Sequence, residues 1–113
     1  MVHVYLTLPH PETTEAKRLV GHLLESNAGV GLVQTAVGGD EEIMRRIAEA
    51  HITACDGLIA VTAGGVDERQ AGEIETATAV RIPVLVIPTA VPFDPAVYLG
   101  FIERLHRLET AAP

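Results

Sequence analysis

The residue types most able to do chemistry lie together in the segment "TAGGVDERQAGEIETATA" (62–79). Glu73 is its centre. A carboxylate near the opening of a helix, beside strand ends, can face an electron-poor sugar carbon and either attack it or stabilise an oxocarbenium-like transition state. Arg69 stands four residues earlier, so the same spacing also allows a solvated helical ion pair worth roughly a few tenths of a kcal/mol. Spacing leaves both readings open. Gly64-Gly65 predicts a tight turn whose backbone amides could meet a ligand, although neither a phosphate-loop lysine nor a GxGxxG follows it. Asp67 is placed to N-cap the next helix. With Glu68 it puts negative charge where a phosphate would otherwise sit. Gly72 lies inside that helix, where glycine costs about 1 kcal/mol relative to alanine, and so predicts a close approach to the backbone.

Other reactive side chains are scattered. His10, in the loop after the first apolar run, could serve as a general acid near neutral pH or simply be a solvated loop histidine. His3, His22, His51 and His106 form no i, i+4 pair and no His-x-His, so no metal and no other cofactor is expected. Ser26 is the only serine and lacks an elbow motif, which argues against a serine nucleophile. Cys55, the sole cysteine, reads as a small core residue, and Asp56 as a turn or capping residue.

Four apolar runs could supply the strands that position these residues: "VHVYLTL" (2–8), a weaker "VGLVQTA" (30–36), "GLIAVTA" (57–63) and "PVLVIP" (83–88). The last two are nearly continuous in apolar character, as strands covered on both faces must be. Helical spacing fills the intervals. The stripes are Ala16, Leu19, Val20, Leu23 and Leu24 in 12–26; Ile43, Ile47, Ala50 and Ala54 in 40–53; Ala71, Ile74 and Thr78 in 67–81; and Val97, Phe101, Leu105 and Leu108 in 95–109. The tail "ETAAP" (109–113) reads as frayed. Strict alternation of strand and helix predicts an α/β fold of three layers with a parallel sheet of about four strands, flavodoxin-like (Rossmann-like), in the order 2-1-3-4. Ligands bind such sheets where the winding direction switches, here between strands 1 and 3. The loops at that place would be 8–14 and 62–69. A receiver domain shares the fold, but strand 3 ends in "TAGG" without its acceptor aspartate.

With 113 residues, residues 1–113 are expected to form one domain around one core. A formal charge of -7, from 15 acidic residues against 8 Lys and Arg, disfavours nucleic-acid polymers and anionic membranes as partners. One cysteine excludes an intrachain disulfide and fits a reducing cytoplasm. The opening "MVHVYLTLPHPE" lacks a signal-peptide pattern, and no apolar run reaches the roughly 18 residues of a membrane span.

The central segment resembles the nucleoside 2-deoxyribosyltransferase superfamily, which includes nucleoside 5'-monophosphate N-hydrolases. "ACDGLIAV" (54–61), Asp67 six residues before Glu73, "GEIETATA" (72–79) and "RIPVLVI" (81–87) fall on its signature in order, and "VYLTLPHP" (4–11) is similar to its first strand, with Tyr5 and Pro9 in place. The resemblance implies cleavage of an N-glycosidic bond in a nucleoside or nucleotide, Glu73 as nucleophile, and homo-oligomers that complete each other's sites. Tyr5 and Asp67 would position sugar and carboxylate, with Pro9, His10, Gly64, Gly65, Arg69 and Gly72 around the substrate. The departures are specific. Ala48 occupies the place of an aspartate that serves the leaving base, with Glu49 beside it, while Leu8, Arg69 and Glu75 stand where glycines are usual. His10 or Glu49 is the available stand-in acid. Two other functions follow from the same residues: a catalytically silent relative binding a nucleotide-like ligand or a protein partner, and a Toll/interleukin-receptor-like NAD hydrolase, which also places a glutamate on a helix after a parallel strand.

Overall fold

Side chains on successive strand residues point to opposite faces, and in this chain both sets are apolar. A sheet built from such strands needs helices on each side. The computed structural model describes residues 1–26, 29–35 and 38–111 and shows that arrangement. The elements run β1 (Val2–Thr7), α1 (Thr14–Ser26), β2 (Val30–Val33), α2 (Glu41–Thr53), β3 (Gly57–Thr62), α3 (Glu68–Ala79), β4 (Val84–Pro88) and α4 (Pro95–Ala111). All strand pairs are parallel and the order is β2-β1-β3-β4. The expected flavodoxin-like α/β architecture is therefore present. No described helix is long and apolar enough to cross a membrane.

Val4, Leu6, Ile59 and Val61 pack with α1 and α4 in one cluster that includes Leu19, Leu23, Tyr98, Ile102 and Leu105. Tyr5, Leu58 and Ala60 face the other way, onto Ala48 and Ile52 of α2, Ala77 of α3, and Cys55. A close approach of backbone does occur, but at Gly57 and not at Gly72. A Cβ at Gly57 would lie 2.7 Å from a Leu105 methyl and 3.2 Å from the Phe101 ring, whereas one at Gly72 would meet nothing within 4 Å. Gly57 lets α4 settle on the sheet; Gly72 is exposed.

Several helix faces differ from those read off the sequence. On α2 the buried row is Ala48 and Ile52, while Ile43 and Ile47 are 56% and 37% exposed and Ala50 and Ala54 also face outward. The helix is turned by one residue, about 100°, from the most apolar stripe, because small Ala48 permits close packing on Tyr5 and Leu58. On α3 the buried residues are Gln70, Glu73 and Ala77; Ala71 and Thr78 are exposed and Ile74 is half-buried. Hydrogen bonding decides that rotation, as the candidate site shows. On α4 the inner row is Tyr98, Phe101, Ile102 and Leu105, with Val97 and Leu108 exposed. On α1 Leu24 is exposed. β2 ends at Val33, short of the expected 36, and Ala36 lies outside the described residues. α4 continues through Glu109–Ala111, which the sequence reading had as frayed; 112 and 113 lie outside the described residues.

Asp67 is the N-cap of α3 in a reciprocal capping box. Its Oδ1 accepts from the Gln70 amide at 2.8 Å, and Gln70 Oε1 accepts from the Asp67 amide at 3.2 Å. Its other carboxylate oxygen accepts from the His10 amide at 3.3 Å, tying the loop after β1 to the same helix end. Asp67→Ala is expected to lower unfolding free energy by about 1 kcal/mol, with Asp67→Asn close to wild type, as judged by urea midpoints at constant m-value.

Candidate active site

Tyr5 and Thr7 alternate on β1 so that both project toward α3. Gln70 and Glu73, three apart on α3, look back at them. Gln70 Nε2 donates to the carbonyls of Val61 at 2.7 Å and Thr7 at 3.3 Å, so α3 is tethered to the ends of both central strands. The tether fixes the rotation of the helix. Polar residues consequently face inward and the apolar stripe of α3 turns aside. Glu73 is carried inward with them and is only 6% exposed.

A carboxylate leaves water at a cost of several kcal/mol unless it is hydrogen-bonded and paired. Glu73 has three donors. The Tyr5 hydroxyl donates to Oε2 at 2.5 Å, the Thr7 hydroxyl to Oε1 at 2.6 Å, and Arg69 Nη1 to Oε1 at 3.4 Å. The ion pair allowed by the spacing thus forms, yet its carboxylate is turned into the protein and not into solvent. Arg69, 38% exposed, also donates to the Leu8 carbonyl and so closes the loop after β1 over the cluster.

Above the cluster lies a cavity of about 540 Å³, at the carboxyl ends of the strands and on the β1 side of the point where the sheet changes winding direction. Its size suits a small molecule. Tyr5, Pro9, His10 and Arg69 line it, together with Leu8, Gln34 and Thr35. Glu73 does not line the cavity itself; it lies behind Tyr5 and Arg69, which line the cavity and bond its carboxylate. Gly64 and Gly65 form the expected turn, both with positive φ (77° and 113°), but they do not line the cavity. Asp67 and Gly72 do not line it either. Glu49 is held by Arg45 at 2.5 Å on the outer side of α2, away from the cavity, and Glu75 is exposed. Ala48 is buried in the cluster that contains Tyr5, so the position does face the site, with a methyl group in place of a carboxylate.

Sequence reasoning missed Thr7, Gln34, Thr35, His51 and Gln70. Thr7 and Gln70 left a signal, since they share a strand face with Tyr5 and a helix face with Glu73. Thr35 and His51 left none. They come from the loop after β2 and from α2 and meet only in the folded chain: Thr35 Oγ1 lies 2.9 Å from the Tyr5 hydroxyl and 3.4 Å from His51 Nδ1.

The Tyr5 hydroxyl is pushed well above the ordinary phenol value, first by burial and then by donating to Glu73, which holds it as a proton donor. Burial also raises Tyr98, the other tyrosine. Each folded value exceeds the unfolded one, so the associated stability is intact below about pH 10 and is lost as pH rises through the folded values. At about pH 10 a free tyrosine is half ionised. The folded protein is expected to show clearly less phenolate absorbance there than the same amount of free tyrosine, the rest appearing at higher pH; ionisation equal to that of free tyrosine in the folded state would contradict the burial.

Fold and site together define a flavodoxin-like α/β domain with a buried, tyrosine-tethered glutamate beside a cavity at the strand ends. No family model matches the chain, and no curated protein matches it. Among solved structures it is similar to a 2-desoxiribosyltransferase from Leishmania mexicana, with a TM-score of 0.61 and 22% identity over 78% of this chain. The chain spans about 65% of the length of that protein. This likeness is one of fold.

Proposed function

We propose that the chain cleaves the N-glycosidic bond of a nucleoside or nucleotide, with Glu73 as the nucleophile. The observation that carries this reading is the buried Glu73 carboxylate, held by Tyr5 and Thr7 under a cavity at the carboxyl end of β1. A carboxylate desolvated and fixed in this way needs no reorganisation when charge develops on a sugar carbon. The glutamate oxygen bonds to C1' as the bond from C1' to the base breaks, and its electron pair leaves on the base nitrogen, which takes a proton from water or from His10 on the cavity wall. Water, or a second base, then attacks C1' and frees Glu73. β1 supplies Tyr5 and Thr7, and α3 supplies Glu73 and Arg69. Similarity of fold to a 2-desoxiribosyltransferase supports the substrate class. Arg69, a cation, and the His10 ring are the cavity-wall groups available to a 5'-phosphate.

The test is a panel of ribonucleosides, deoxyribonucleosides, their 5'-monophosphates and NAD, assayed for free base by chromatography. Release from at least one substrate, abolished in Glu73→Gln, is the expected result. No release from any, or equal release by the variant, overturns the reading. Ala48, buried without a carboxylate, favours a second reading in which the chain binds such a ligand without turning it over. Thermal stabilisation by a nucleotide with no product would establish that instead.

A further inference from the structure

We propose that Thr35 and His51 form a one-way donor relay that aims the Tyr5 proton at Glu73, making His51 a positioning residue of the site. The argument is a count of protons. The Tyr5 hydroxyl lies 2.5 Å from Glu73 Oε2 and 2.9 Å from Thr35 Oγ1, and a phenol has one proton to donate. An ionised carboxylate can only accept, so that proton belongs to the bond with Glu73. Thr35 must then donate its own proton to the Tyr5 oxygen. With that proton committed, the 3.4 Å contact between Thr35 Oγ1 and His51 Nδ1 can be a hydrogen bond only if the imidazole donates. His51 therefore carries its proton on Nδ1. The polarity runs from His51 on α2 to Thr35 in the loop after β2 to Tyr5 on β1 and ends on one carboxylate oxygen of Glu73.

Packing holds the chain of donors in place. His51 is half-buried on α2, three residues after Ala48 and one before Ile52, both buried on the same face. Its ring centre is 6.5 Å from that of Tyr5, tilted by 58°. Without the relay, the Tyr5 oxygen would lose the proton it accepts from Thr35, the second of the two bonds that fix the direction of its hydroxyl. With it, the carboxylate keeps one orientation, and its reach toward the cavity stays constant between turnovers.

The relay can be read without any substrate. Nitrogen-15 NMR of the histidine rings, in buffer alkaline enough to leave imidazoles neutral, is expected to show one histidine in the Nδ1–H form, identified as His51 by its loss in His51→Asn. Thr35→Val should return that ring to the Nε2–H form usual in solution. Nε2–H in the wild type, or a tautomer indifferent to Thr35→Val, overturns the relay whatever the enzyme does. The kinetic arm rests on the proposed glycosidase reading. His51→Leu is expected to lower kcat about tenfold with KM unchanged, the effect of losing one orienting hydrogen bond, and His51→Asn, whose side-chain amide can still donate, to recover most of it. Equal losses in the two variants overturn the positioning role. A chain that turns over no substrate removes the glycosidase reading, while the tautomer measurement still decides the relay.

Discussion

Glu73→Gln is expected to lower base release about a thousandfold, equivalent to ~4 kcal/mol of transition-state stabilisation, while the chain stays folded. The amide keeps the shape of the carboxylate, and Tyr5 and Thr7 are both hydroxyls able to accept from an amide as well as donate to one. With its oxygen toward Tyr5 and its nitrogen toward Thr7, the glutamine leaves the Tyr5 proton where it is and needs only Thr7 to accept. Arg69 loses a contact at 3.4 Å from a side chain that is 38% exposed, a small loss in solvent. What the amide cannot do is form the bond to C1'. Glu73→Ala should lose activity equally and stability as well, because the Tyr5 and Thr7 hydroxyls would face a void without an acceptor, at about 1–3 kcal/mol for each buried group left unpaired. Product assays beside urea denaturation of the two variants separate the effects. A glutamine variant as unstable as the alanine variant would show that the glutamate is held for structure and not for chemistry.

Ile59→Ala is expected to be strongly destabilising, by about 2–5 kcal/mol. Ile59 lies at 0% exposure in the middle of β3, which pairs with β1 on one side and β4 on the other. Its side chain belongs to the cluster with Val4, Leu6 and the inner rows of α1 and α4, so the surroundings are anchored on the sheet and on both covering helices and collapse poorly into a void. Total stabilities of single domains are about 5–15 kcal/mol, and a loss of that size takes a large fraction. Urea midpoints give the magnitude. The same truncation at Ile43, 56% exposed on α2, should change stability by less than about 0.5 kcal/mol, although sequence periodicity had placed it in the core. A cost at Ile43 as large as that at Ile59 would contradict the observed rotation of α2.

Two properties of this site come from its surroundings. The cavity is walled on one side by the loop after β1, which is tied to α3 by the His10 amide on Asp67 and by Arg69 on the Leu8 carbonyl. Asp67 and Arg69 thus act on the shape of the cavity through the backbone they hold. This places Asp67 in a supporting position, its carboxylate committed to capping, where the sequence reading had it among the groups that act on substrate.

The order of strand and helix and the parallel sheet followed from strand-length apolar runs alternating with segments of helical spacing, and the 2-1-3-4 arrangement, chosen as the flavodoxin-like order, is the one found. Of the residues singled out in the sequence, Tyr5, Pro9, His10 and Arg69 line the cavity and Glu73 is bonded to two of them; Arg69 and Glu73 drew attention by their spacing on one helix, Tyr5 and Pro9 by the family resemblance. The tertiary structure decided the rest. Helix rotation was settled by Gln70 gripping two strand carbonyls and by the close seat of Ala48 and Gly57, interactions between residues far apart in the chain. The exclusion of Gly64, Gly65 and Gly72 from the cavity, and the entry of Thr35 and His51 into the hydrogen-bond chain, follow from the same long-range packing. Periodicity reports which residues share a face; only the partner across the interface determines which face turns inward, and here buried polar groups seeking hydrogen bonds outweighed the most apolar stripe.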